Sequence, residues 1–124
     1  MNVWQSGRES TMLDAIIDGR KTIEGRLNRG KFAQYQPGDI VELRRDTRDA
    51  DGILHDGDVA EIRVRVVAVR PYVSFLEMIE AEGYQRVIPD ATSPQDAVDE
   101  YDKYYSAEDQ QKYGVLAIQI EVIV

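Results

Sequence analysis

The segment Gly19–Arg26, with the sequence GRKTIEGR, lies at the junction between a predicted helix and a predicted strand. Apolar residues recur at helical spacing before it, and Gly19 suits the left-handed conformation that often follows the last helical turn. Beyond the glycine, side chains alternate, which places Glu24 and Arg26 on one face of a strand. Lys21 lies at the turn just before them. The segment thus brings two cations and a carboxylate together, and we expect these three residues to carry the function.

The length and composition indicate a single domain over residues 1–124 that folds around its own core. Apolar residues make up 43% and charged residues 31%, as in ordinary water-soluble proteins. The chain shows no apolar run long enough to span a membrane and no secretory signal at its start. It contains no cysteine, which excludes disulfides and thiolate chemistry. We therefore expect a cytoplasmic protein with no membrane partner.

The net charge of −8 argues against a protein that coats nucleic acid non-specifically. The charge is uneven, however, because residues 1–45 hold eight Lys and Arg against six Asp and Glu, whereas residues 71–124 hold three against eleven. One interpretation is a basic cleft beside an acidic flank, which would accept a nucleotide or a short RNA element and repel long polyanions. The alternative is a mixed surface that serves only solubility.

Hydrophobic patterns place the remaining elements. Strands are predicted at residues 3–4, 22–27, 40–44, 59–69 and 113–122. Helices are predicted to begin near Ser6 or Ser10, Ser74, Ser93 and Ser106, each a residue that caps helices well. The order is roughly β-α-β-β-β-α-α-β, with most strands joined by tight turns. This order predicts an α+β fold built on a mostly antiparallel, barrel-like sheet with flanking helices. The long apolar run of the last strand indicates a central position.

The acidic segment 46–58 has no apolar period and is predicted to be an exposed hairpin loop. Its aspartates lack the glycine and distal glutamate of a calcium-binding EF-hand loop. His55, the only histidine, has no nearby His or Cys to share a metal ion. We therefore predict no metal site and no cofactor.

The spacing of Gly19, Lys21, Glu24 and Arg26 resembles the G-x-K-x-x-E-x-R signature of the ASCH family. Further matches to the family's pattern lie at 36–40, 82–89, 104–106 and 113–115, so the resemblance covers nearly the whole chain. It implies a single ASCH domain with a β-barrel like that of the PUA RNA-binding fold.

The resemblance implies two kinds of function. Many members are regarded as modules that bind RNA or nucleotides in a cleft beside the signature. Some small bacterial members are amidohydrolases that act on acetylated cytidine, using the signature lysine, a threonine and a mid-chain glutamate. Lys21 matches that lysine and Glu82 the mid-chain glutamate, whereas Glu24 stands in place of the threonine.

The residues themselves support the same two readings. A lysine that loses its proton on burial acts as a base, whereas a nearby carboxylate keeps it charged and able to hold an anion. Arg26 suits a phosphate or a base edge, and Glu24 suits an amino group of a base. Tyr105, like Tyr101 and Tyr104 in the same predicted helix, is a candidate for stacking on a base, and Ser106 is a candidate nucleophile or proton donor.

A structural explanation exists for each of these residues. Glu24 and Arg26 would form an ion pair, the tyrosines would belong to the core and Ser106 would cap a helix. Our leading prediction is binding of RNA or a nucleoside or nucleotide ligand by Lys21, Glu24, Arg26, Tyr105 and Ser106. The second is a small hydrolase acting on a modified nucleoside or on RNA, with Lys21 as base or electrostatic catalyst and Glu24 or Glu82 carrying the proton. The third is an interaction module in which the motif is structural.

Overall fold

The computed structural model describes residues 1–123, which form six β-strands, five α-helices and one 3-10 helix. The strands are β1 (Val3–Glu9), β2 (Ile23–Leu27), β3 (Ile40–Arg48), β4 (Leu54–His55), β5 (Ala60–Tyr72) and β6 (Val115–Val122). The helices are α1 (Ser10–Ile17), α2 (Phe75–Glu82), α3 (Tyr84–Val87), α4 (Pro94–Asp102) and α5 (Ala107–Tyr113), with the 3-10 helix at Gly30–Gln34. The predicted α+β class is confirmed. None of the helices in residues 1–123 is long and apolar enough to cross a membrane.

The strands form one mixed sheet in the order β1-β3-β5-β6-β2, with β4 paired to the end of β3. The pairing of β1 with β3 is parallel, and every other pair within residues 1–123 is antiparallel. The two edge strands, β1 and β2, share no backbone ladder in this part of the chain. The sheet is therefore open, and the closed barrel expected from the sequence is not confirmed.

Strand β6 lies inside the sheet, between β5 and β2, as its long apolar run predicted. Val115 and Ala117 face a core shared with α2, α3 and α4. Leu116, Ile118 and Ile120 face a second core, in which Leu13 and Ile16 of α1 pack. Because both faces of β6 are buried from Val115 to Ile118, its sequence is continuously apolar there, and polar residues appear only at Gln119 and Glu121.

The predicted helix boundaries follow local chemistry. The Oγ atoms of Ser74, Ser93 and Ser106 accept hydrogen bonds from the backbone N–H three residues later, at 3.0–3.1 Å, and so satisfy groups left free at each helix start. Gly19 follows α1 with φ of +81°, the left-handed conformation expected for it. The end of α1 therefore fixes where β2 begins, and with it the position of Lys21 and Glu24.

Three predictions about the elements were wrong. Strand β1 runs to Glu9 because it pairs with β3 along its whole length, so Ser6 lies in a strand rather than at a helix start. The segment 46–58 is not one loop, since β3 extends to Arg48 and pairs with β4. The short helix α3 was not among the predicted helices. In each case, pairing or packing with distant residues outweighs the local pattern.

Candidate functional site

The two edge strands meet through side chains. Arg8 projects from β1 and Glu24 from β2, and the Arg8 Nε atom lies 2.9 and 3.0 Å from the two carboxylate oxygens of Glu24. The Arg8 guanidinium also donates to the Ser6 hydroxyl at 2.6 Å and to the carbonyl of Gly7 at 2.7 Å. Both Arg8 and Glu24 are buried. An ion pair thus joins the strands where the backbone ladder does not.

Glu24 is a buried carboxylate that stays ionised. Only 4% of the residue is exposed, and this burial would by itself raise the pKa of its carboxyl. The charges of Arg8, Arg26 and Lys21, with the hydrogen bond from Arg8, outweigh burial and hold the pKa well below its usual value. Glu24 is therefore a permanent acceptor at neutral pH and a poor proton donor.

Lys21 is also buried, and its ammonium is held by backbone carbonyls. Its Nζ donates to the carbonyl of Ile23 at 2.9 Å and to the carbonyl of Val87 at the end of α3. Burial lowers the pKa of Lys21 to about 8, although the neighbouring Glu24 carboxylate acts in the opposite direction. A minority of Lys21 is therefore neutral at physiological pH.

Arg26 connects this charged cluster to solvent, with 25% of its side chain exposed. One terminal nitrogen lies 3.3 Å from Glu24 and the other 3.5 Å from the hydroxyl of Tyr105, while the guanidinium lies 4.9 Å from the centre of the Phe32 ring. Burial would lower the pKa of Arg26, but Glu24 and Tyr105 raise it. Its Nε atom is buried and has no hydrogen-bond partner among the residues described. The contacts to Tyr105 and Glu24 use only two of the five N–H donors of Arg26, so its terminal nitrogens keep donor capacity.

A cleft of about 380 Å³ opens over these side chains. Four of the predicted site residues line it, namely Lys21, Glu24, Arg26 and Tyr105. Other lining residues come from β1, the end of β3, β4 and α4, including Arg8, Asp46, Leu54 and Glu100. The cleft therefore lies at the seam between the edge strands and is walled by the helical side of the molecule.

The structure places two predicted site residues elsewhere. Ser106 is the cap of α5, where its hydroxyl accepts from the backbone of Asp109, and it is not among the residues that line the cleft. Glu82 also lies outside the lining, at the end of α2. Both of its oxygens accept hydrogen bonds from Arg70 at 2.7 Å, and it also accepts from the hydroxyl of Tyr72. These bonds lower the pKa of Glu82 and tie α2 to β5.

The three tyrosines predicted near the site have different environments. Tyr101 is stacked on Phe75 with ring centres 4.1 Å apart and planes 5° apart, and Tyr105 packs on the same ring at 5.1 Å. Tyr104 is 68% exposed at the rim of the cleft. Gly25 leaves the space that Tyr101 uses, because a Cβ atom there would lie 2.5 Å from the Tyr101 hydroxyl. The stretch EGR in β2 thus gives two charged side chains to the cleft and one close approach to α4.

The sequence interpretation missed Arg8, which holds the carboxylate at the centre of the site. The signal was its alternation with Ser6 in a segment that was assigned to a helix start rather than to a strand. Within residues 1–123, no cluster of three or more His, Cys, Asp and Glu side chains is arranged to hold a metal ion.

Comparison with known proteins identifies the chain's relatives. A family model described as the ASCH domain matches residues 9–124. The crystal structure of hypothetical protein PH0355 is 36% identical with a TM-score of 0.80, and the match covers 99% of this chain and 100% of that chain. The solution NMR structure of protein PF0455 from Pyrococcus furiosus is 35% identical with a TM-score of 0.74, covering 99% of this chain and 98% of that one.

A third structure shows the fold alone. Protein EF3133 from Enterococcus faecalis V583 is 14% identical, with a TM-score of 0.60 over 99% of this chain and 76% of that chain. No curated protein matches this chain. Since the family model spans nearly all residues and the two closer structures match end to end, the chain belongs to the ASCH domain family.

Proposed function

We propose that this ASCH domain binds RNA, or a nucleotide derived from it, by taking one base into the cleft lined by Lys21, Glu24 and Arg26. The observation that carries the proposal is the state of Glu24, which is buried yet ionised and lies within 3.3 Å of arginine nitrogens on both sides. A fixed carboxylate of this kind accepts a hydrogen bond from the amino group of cytosine, adenine or guanine. Arg26 supplies donors to a carbonyl or ring nitrogen.

The charges of the cleft favour a neutral polar group over a phosphate. Its lining contains four cations and four carboxylates: Arg8, Lys21, Arg26, Arg48, Glu9, Glu24, Asp46 and Glu100. Balanced charges orient a polar ring without attracting a polyanion. The volume of about 380 Å³ is at the lower end of the range of small-molecule sites and suits one nucleoside.

The family supports this proposal in a general way, because ASCH domains are regarded as RNA-binding-like. A location in the cytoplasm, where such ligands are available, is part of the proposal. Tyr105 supports Arg26 from the wall of the cleft, and the exposed Tyr104 offers a ring face at its rim.

Binding is tested by titrating the four ribonucleosides into the labelled protein and recording amide chemical shifts. We expect shifts centred on β2 and the end of β1, and a loss of affinity of about tenfold or more in Arg26→Gln, since a charged hydrogen bond contributes roughly 1.5–3 kcal/mol. Arg65→Gln, an exposed arginine of β5, is the matched control and should bind normally. The proposal fails if no nucleoside and no single-stranded RNA shifts residues of the cleft.

A second candidate function is hydrolysis of an acylated nucleoside, and the lowered pKa of Lys21 favours it. With a pKa of about 8, roughly one Lys21 in ten is neutral at pH 7 and can accept a proton. Glu24 would act only as an acceptor in this reaction, and Glu82 would act from outside the cleft lining. Release of acetate from N4-acetylcytidine should then increase from pH 7 to pH 9 and be abolished in Lys21→Met. A folded protein that releases no acetate excludes this function and leaves binding intact.

A further inference from the structure

Most cations of this acidic chain are neutralised by a nearby carboxylate. Among residues 1–123, ten of the fifteen Lys and Arg lie within 4 Å of an Asp or Glu oxygen. Three of the other five lie in two segments that a backbone hydrogen bond joins: Arg29 and Lys31 just after β2, and Lys112 in the last turn of α5. We call these three residues the basic rim. In a protein with a net charge of −8, such a group is a local exception.

Each cation of the basic rim faces an aromatic ring, and two of them share one ring. The guanidinium of Arg29 and the ammonium of Lys112 each lie 5.1 Å from the centre of the Tyr113 ring. The Lys31 ammonium lies 5.5 Å from the centre of the Phe32 ring. A ring face attracts and orients a cation but does not remove its charge. The three positive charges are therefore held near the surface and remain available.

The basic rim is continuous with the cleft. The Phe32 ring that faces Lys31 also lies 4.9 Å from the guanidinium of Arg26, which lines the cleft. The backbone N–H of Asn28 donates to the carbonyl of Gly114 at 3.0 Å, which fixes the segment after β2 against the end of α5. The rim cations do not line the cleft, but Lys31 is linked to it through Phe32, and Arg29 and Lys112 lie on the adjoining segments.

Two carboxylates of α5 lie one turn from Lys112 and weaken its charge without pairing with it. Glu108 and Asp109 precede Lys112 by four and three residues in α5, yet neither forms an ion pair with it among the residues described. Lys31 donates to the backbone carbonyl of Gln5 at 2.9 Å. Its pKa is lowered by burial and by the charges of Arg8, Arg26 and Arg44, so its strongest electrostatic neighbours are cations.

We propose that the basic rim binds the phosphates of a single-stranded RNA whose base occupies the cleft; this rests on the function proposed above. The two surfaces bind different parts of the ligand. The cleft, which is balanced in charge, binds the base, and the positive rim binds the phosphates. Three cations match about three phosphates, which suits a short strand and not a long duplex lying along an otherwise acidic protein. None of the large apolar side chains exposed in residues 1–123 lies in the segments 28–33 and 107–113 that carry the rim, which argues against a lipid surface as the partner.

The test compares two triple variants with the same change of charge. Arg29→Gln/Lys31→Gln/Lys112→Gln removes the rim, whereas Arg20→Gln/Arg63→Gln/Arg65→Gln removes three exposed, carboxylate-paired arginines elsewhere. Binding of a fluorescent random-sequence ten-nucleotide RNA is measured by anisotropy at 50–200 mM salt. Three phosphate contacts predict a slope of log K against log salt of about −2, which is a loss of about 20-fold over that range.

We expect the rim variant to lose at least tenfold of the RNA affinity at 50 mM salt and most of the salt slope, with nucleoside binding unchanged. The control triple should lose much less. Equal losses in the two triples would mean that net charge alone matters, and no RNA binding by the natural protein would also overturn the proposal. If the natural protein binds a polyglutamate peptide or anionic vesicles as tightly as RNA, and the rim variant loses that binding, the proposal that the partner of the rim is RNA is overturned.

The same experiment separates this proposal from the function on which it rests. Suppose that RNA binding depends on the rim but is unchanged in Arg26→Gln, and that no nucleoside binds. The rim is then supported as a phosphate-binding surface, and the cleft is refuted as the base site. If nucleosides bind in the cleft and the ten-nucleotide RNA binds no more tightly than they do, the cleft stands and the rim proposal is overturned.

Discussion

Replacing Arg8 by methionine should destabilise the protein more than any exchange of a surface arginine. The substitution keeps much of the buried volume but removes the closest cation of Glu24, whose carboxylate lies 2.9 Å from Arg8 and is 4% exposed. Arg26 remains, at 3.3 Å and partly in solvent. Leaving a buried charge without its main partner costs about 3–5 kcal/mol. That is a large part of the roughly 6–18 kcal/mol expected for a domain of this length.

The loss should depend on pH in a direction that the structure fixes. In the natural protein the folded-state pKa of Glu24 is lowered, so its stabilising contribution is present above the ordinary pKa near 4.5 and disappears as the pH falls through the folded value. In Arg8→Met, burial is opposed by fewer cations and the pKa of Glu24 rises. The variant can then relieve its buried charge by taking up a proton. The difference in unfolding free energy between the two proteins should therefore shrink as the pH falls from 7 to 4.

Urea denaturation at pH 7 and pH 4 measures both effects. At pH 7 we expect the midpoint of Arg8→Met to fall by about 2 M, with slopes of 1–3 kcal/mol per M. Arg8→Met/Glu24→Leu should recover most of the stability, because an apolar pair of similar size avoids the buried charge. The reasoning is refuted if Arg8→Met costs less than about 1 kcal/mol at pH 7, or if its deficit grows at pH 4.

Three further substitutions test other parts of the site. Gly25→Ala should lower the unfolding free energy by about 1–3 kcal/mol, because the new Cβ would lie 2.5 Å from the Tyr101 hydroxyl. In urea denaturation, Gly25→Ala/Tyr101→Phe should regain part of this stability. If Gly25→Ala loses no stability, the contact with Tyr101 relaxes freely. The folded protein releases the Lys21 proton near pH 8 and the unfolded chain near 10.5, so the unfolded state binds more protons in between and stability should rise by about 1.5 kcal/mol from pH 8 to 9.5. Lys21→Met should lack this rise in the same assay, and an identical rise in the variant would assign it to another group. Glu82→Gln should lower the unfolding free energy by about 1–3 kcal/mol, because it breaks the paired hydrogen bonds from Arg70, and nucleoside binding should stay unchanged. A loss of nucleoside binding without a loss of stability would place Glu82 in the ligand site.

The sequence predicted best where chemistry acts over a few residues. Helix caps at Ser74, Ser93 and Ser106 depend on the residue and the N–H three positions later, and all three are present. Gly19 ends α1 for a reason confined to its own backbone. The alternation that placed Glu24 and Arg26 together also needs only the strand itself, and both side chains line the cleft.

Prediction was weakest where distant segments decide the outcome. The parallel pairing of β1 with β3 joins residues 37 positions apart, as between Val3 and Ile40, and no turn signals it. Since α1 and β2 lie between the paired strands in the sequence, the pairing left no local pattern. The start of the chain was therefore predicted to be a strand of only two residues. The closed barrel was inferred from strand count and tight turns, and neither property determines whether the two edge strands pair.

The same long-range pairing explains why only part of the centre of the site could be predicted from the sequence. The motif supplies Glu24 and Arg26, but a carboxylate buried to this extent requires a second cation, and that cation comes from β1. Arg8 of β1 reaches Glu24 of β2 although these strands are the two opposite edges of the sheet, so no local pattern could predict the contact. One ion pair therefore does two things: it joins the edges of an open sheet and holds an ionised acceptor at the floor of the cleft. A variant that closed this seam with apolar residues would keep the fold and lose the acceptor, which is why Arg8→Met/Glu24→Leu should be stable and unable to bind a nucleoside.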